Sequence, residues 1–67
     1  MERQVIASSA IVTAGWEDGD MEVEFAQGQV YAASGVPEMD WQAFLTSPSA
    51  GRFFTTYLKN AYTWVQI

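Results

Sequence analysis

The clearest periodicity in the chain lies at Asp20-Met21-Glu22-Val23-Glu24-Phe25, where polar and apolar residues alternate without a break. Alternation of period two marks a half-buried antiparallel strand, with Met21, Val23 and Phe25 toward a core and Asp20, Glu22 and Glu24 toward solvent. Upstream, Val5, Ile6, Ile11, Val12 and Trp16 are spaced among small residues, a pattern that suits one bent strand or two short ones. Between these stretches, Glu17-Asp18-Gly19-Asp20 interrupts the pattern. Asp-Gly is a strong hairpin signal, because both residues tolerate the positive φ that a tight primed turn needs. Gln27-Gly28 supplies the next turn, and Gln29-Val30-Tyr31-Ala32-Ala33 reads as a third strand.

At Gly35-Val36-Pro37 the period changes. Pro37 suits the first position of a helix, and Glu38 and Asp40 complement its positive end. Trp41, Phe44 and Leu45 then recur at helical spacing as one apolar face. Thr46-Ser47-Pro48-Ser49 breaks this helix and starts another, with Ser47 expected as N-cap and Pro48 just inside. In the second helix Phe53, Phe54, Tyr57, Leu58 and Ala61 form the apolar stripe. Tyr62-Thr63-Trp64-Val65-Gln66-Ile67 is too β-branched and aromatic for a frayed helix end and reads as a last strand. The expected fold is therefore α+β, a small antiparallel sheet in the order β-β-β-α-α-β with both helices on one face. Residues 1–67 form one domain, with Met21, Val23 and Phe25 packed on Trp41, Phe44, Phe53, Phe54 and Leu58.

Composition narrows the chemistry. With 49% hydrophobic residues and ten aromatic rings in 67 residues, the chain is too apolar to be intrinsically disordered. No apolar run approaches the ~18 residues of a membrane span, and Met1-Glu2-Arg3 opens no secretory signal, so a cytoplasmic protein is expected. The sequence has neither Cys nor His. Their absence removes a disulfide framework, the usual zinc ligands and any Ser-His or Cys-His nucleophile pair. Asp18-Gly19-Asp20 lacks the alternating acids and closing Glu of a calcium loop. No metal or cofactor is expected. Nor is an enzyme, since solvent-facing Glu22 and Glu24 make poor acid–base groups and so small a domain has little room for a pocket of about 300 Å³.

The net charge is −5, and its placement is uneven. Glu17, Asp18, Asp20, Glu22, Glu24, Glu38 and Asp40 crowd into residues 17–40 with no base among them, whereas residues 41–67 hold only Arg52 and Lys59. Successive acids on one strand face stand about 6.6 Å apart, and duplex DNA carries a phosphate per strand every ~3.4 Å of axis. The row thus approximates a coarse line of backbone charge, which attracts basic protein surfaces. These seven acids are the candidate contacts for a basic nucleic-acid-binding partner, blocked by mimicry as small phage inhibitors, including anti-CRISPR proteins, block theirs; in that setting the site of action is the host cytoplasm. Tyr31, Tyr62 and Trp64, on the later strands, form a candidate aromatic interface. A monomer or weak dimer is expected.

Several short pieces, in order, resemble the KTSC domain, a module of bacterial and phage proteins that also occurs at the C-terminus of some lysyl-tRNA synthetases. The resemblance runs from Ser8-Ser9-Ala10-Ile11 through Gly15-Trp16, Met21-Glu22-Val23-Glu24-Phe25, Gly28-Gln29-Val30-Tyr31 and Gly35-Val36-Pro37. It continues in Ser47-Pro48-Ser49-Ala50-Gly51, Phe53-Phe54 and Ala61-Tyr62-Thr63-Trp64. It implies the same α+β fold and, through the synthetase fusion, an accessory role in binding RNA. This chain departs from the pattern in having Ala33 where a second Tyr is usual, and in its bases around the last helix and tail being thinned to Arg52 and Lys59. Those departures weaken the stacking and phosphate contacts that hold single strands, so direct nucleic-acid binding is the alternative expectation.

Overall fold

The computed structural model describes residues 1–67. Five strands form one antiparallel sheet in simple sequence order: β1 (Gln4–Val5), β2 (Ile11–Glu17), β3 (Asp20–Phe25), β4 (Val30–Ala33) and β5 (Val65–Gln66). Helix α1 (Glu38–Thr46) and helix α2 (50–61) lie between β4 and β5 in sequence. The α+β architecture expected from the pattern is present, and the first apolar stretch resolves into two strands. β1 folds back on β2, with Gln4 opposite Ala14 and Val5 opposite Thr13.

The β2–β3 hairpin turns through Asp18 at φ 51° and Gly19 at φ 90°, the left-handed pair that Asp-Gly supplies at least cost. Register fixes the faces. Ala14 lies opposite Val23 and Trp16 opposite Met21, and both pairs point to the helices. Gly15 opposite Glu22 and Thr13 opposite Glu24 point away from them. The core joins Ile11, Ala14, Met21, Val23 and Ala33 of the sheet to Trp41, Phe44, Ala50, Phe54 and Leu58 of the helices, with Val36 between. No polar side chain is buried in it.

Three local expectations need correction. The cap of α2 is Ser49, whose hydroxyl accepts the Arg52 amide, rather than Ser47. The Ser47 hydroxyl instead accepts the Ser49 amide in a local turn, which holds Pro48 outside the helix. Phe25 and Phe53 are half-buried at the margins of the core rather than within it. Only Val65–Gln66 of the tail pairs with β4, because Tyr62 and Trp64 are spent on anchoring the segment to the helices.

The second helix also changes form midway. Its ends are α-helical, but Phe54–Leu58 makes a π turn closed by the Lys59 amide donating to the Phe54 carbonyl. Trp64 Nε1 donates to the Leu58 carbonyl at 2.9 Å, which fastens the approach to β5 onto this turn.

Candidate functional site

The face of the sheet turned away from the helices carries the acidic row. β2 and β3 set Glu17 directly opposite Asp20, with Glu22 and Glu24 following on the same face. Glu17, Asp18, Asp20 and Glu22 line one shallow depression together with Met1, Ala32, Val65 and Ile67. Its acidic side is therefore flanked by exposed aliphatics, Ile67 at 67% and Val65 at 59% accessibility.

Two contacts hold the row in place. Thr13 Oγ1 donates to Glu24 Oε1 at 2.9 Å, and Arg3 Nη1 approaches Glu22 Oε1 at 3.4 Å. Arg3 reaches Glu22 because it crosses over Gly15. A Cβ on Gly15 would stand 2.4 Å from the Glu2 carbonyl and 3.0 Å from Arg3 Cγ, so only glycine lets the N-terminal segment lie across the face. This places a cation from the N-terminal segment inside the acidic row, although no base lies among residues 17–40 in sequence.

Glu38 and Asp40 are not part of the row. Both belong to α1, in the layer on the opposite side of the sheet. The Asp40 carboxylate accepts a hydrogen bond from the Tyr62 hydroxyl, which ties the tail to α1. That hydrogen bond, then burial, then the negative charge of Asp40 raise the Tyr62 phenol above its ordinary pKa. Tyr62 is thus a structural anchor and does not join the other two candidate aromatics.

Tyr31 and Trp64 do come together, at a groove of about 730 Å³ between the sheet margin and α2. That volume overturns the expectation that so small a domain lacks room for one. Phe25 and Phe54 complete a chain of edge-to-face rings: Tyr31 to Phe25 with centroids 5.8 Å apart, Phe25 to Phe54 at 5.2 Å, and Phe54 to Trp64 at 4.9 Å. Ser9, Gln27, Gln29, Thr55 and Lys59 are the other polar residues of its lining, and no acid is among them. Ala33, at the position of the missing second Tyr, is 5% exposed and packs in the core, so its lost ring takes nothing from the groove. Tyr31 and Trp64 were legible in the sequence as aromatic candidates, but the groove itself was not, since its lining comes from segments near residues 9, 25–31, 54–59 and 64.

No group of three acids is gathered in a way that could hold a metal ion. No helix is long and apolar enough to cross a membrane.

A five-stranded antiparallel sheet covered on one face by two helices places the chain among the small α+β domains. Residues 7–62 match the KTSC domain, and the chain belongs to that family. A crystal structure of a KTSC domain protein from Yersinia pestis superposes with a TM-score of 0.90 at 35% identity, covering 98% of this chain and 96% of that one. Comparison with curated proteins finds no match.

Proposed function

We propose that this KTSC domain is a non-enzymatic binding module whose acidic sheet face docks on a basic, nucleic-acid-binding protein surface. One observation carries the reading: Glu17, Asp18, Asp20 and Glu22 converge on a single depression of a rigid sheet, with Glu24 continuing the row. Carboxylates held on paired strands lose little conformational freedom on binding, so the attraction to a basic patch is spent less on ordering. The aliphatic flank of Val65 and Ile67 adds apolar area to an otherwise polar contact. A nucleic-acid mimic of this kind competes with the partner's own substrate, and inhibition of a defence complex by a phage protein of anti-CRISPR type is the setting to which the reading extends.

Charge reversal tests it. Glu22→Lys with Glu24→Lys preserves the fold, since both side chains point away from the core, but weakens capture of a nuclease-resistant partner and flattens its salt dependence. Arg3→Ala, which frees Glu22, shifts affinity the other way. A double variant that binds the recovered partner as tightly as wild type at low salt overturns the reading.

A further inference from the structure

The groove beside α2 uses the other face of the sheet and is independent of the acidic row. Its composition is unusual for this chain: in a molecule of net charge −5, Lys59 is the only charged side chain lining it. We infer that the groove is a nucleotide-binding site, in which a base stacks on the Tyr31 ring, Phe25 and Trp64 complete the aromatic wall around it, and Lys59 holds the phosphate.

Each part of the lining has a use in that occupant. Tyr31, Phe25 and Trp64 are half-buried, so each ring is fixed by its neighbours yet still reachable. Aromatic faces take any base, because every base has a π surface. Gln27 and Gln29 offer both donors and acceptors to a base edge, and their position on the β3–β4 turn holds them at the rim. A neutral saccharide would use the rings and amides and leave the ammonium idle. A nucleotide uses all three.

The π turn explains how Lys59 arrives. In a regular α-helix, five residues make about 1.4 turns, which would point Lys59 away from Phe54. Widening the turn so that the Lys59 amide bonds the Phe54 carbonyl brings the two side chains to the same groove. Such insertions cost hydrogen-bond regularity and recur at functional sites.

The same chemistry could come from a free nucleotide or from a nucleotide within a single strand, and the arms of the test separate them. Isotope-labelled protein is titrated at low salt with AMP, with single-stranded octaadenylate and octauridylate, and with a duplex of equal length. The side-chain amides of Gln27 and Gln29 and the Trp64 indole N–H should shift and saturate. Lys59→Glu and Tyr31→Val should each weaken binding by roughly tenfold, while Glu22→Lys with Glu24→Lys should not weaken it. Lys59 is exposed and outside the core, so its variant keeps the fold. Saturation by the oligonucleotides alone assigns the site to a strand, and equal saturation by AMP assigns it to a free nucleotide. The inference fails if no probe shifts the groove at millimolar concentration, if duplex binds as well as single strand, or if neither groove variant changes affinity. It fails equally if an aromatic peptide saturates the groove and the nucleotides do not.

Discussion

At the scale of single residues, the rings of the core carry most of the stability. Phe54 is 7% exposed and touches both Phe25 and Trp64, so it supports the core and the groove together. Phe54→Ala should cost about 3–5 kcal/mol, close to the whole stability of a small domain. Calorimetry should then show no cooperative transition above room temperature; an unchanged melting curve would mean the core is elsewhere. Tyr62 makes a different prediction. Its pKa is raised in the folded state, so the unfolded chain gives up the phenolic proton first as pH climbs past ~10. The unfolded state then binds fewer protons, and the stability contributed by Tyr62, fully present below that pH, declines above it. Tyr62→Phe should make the fall of Tm between about pH 9 and pH 11 shallower; superimposable curves would show that the Asp40 contact is energetically idle. The sequence identified both residues as aromatic, but it could not show that Tyr62 would spend its hydroxyl on Asp40, because the partner lies on another element.

At the scale of elements, legibility followed periodicity. β3 was readable because its alternation is uninterrupted, and the hairpin before it because Asp18 and Gly19 are suited to the positive φ they adopt. α1 was readable from Trp41 and Phe44, both buried as expected. β1 was harder: two residues carry too little pattern, and its place depends on the bare surface of Gly15 rather than on its own side chains. The α2 cap was misplaced by two residues, since Ser47 and Ser49 flank the same Pro48 and only the tertiary contact separates them. Gly51 brings α2 against the loop before β2, where an added Cβ would lie 3.3 Å from Ala10 Cβ and 3.4 Å from Ser8 Oγ. That approach sets where the helix begins. The π turn left no mark in the sequence, because Phe54–Leu58 is equally compatible with regular helix.

At the scale of the whole molecule, the sheet separates two surfaces of opposite character. The acids of β2, β3 and their turn cover one face, and the rings with Lys59 form a groove on the other. Charge counting along the chain found the first surface and included Glu38 and Asp40, which the fold assigns to α1. It missed the second because that groove exists only once distant segments meet. Docking of a basic partner on the acidic face is best tested by an amide chemical-shift map recorded as the recovered partner is added to labelled protein. The shifts should concentrate on the turn at Asp18 and on the outward positions of β2 and β3, and should fade as salt is raised. Shifts confined to the groove, or unchanged by salt, would contradict it.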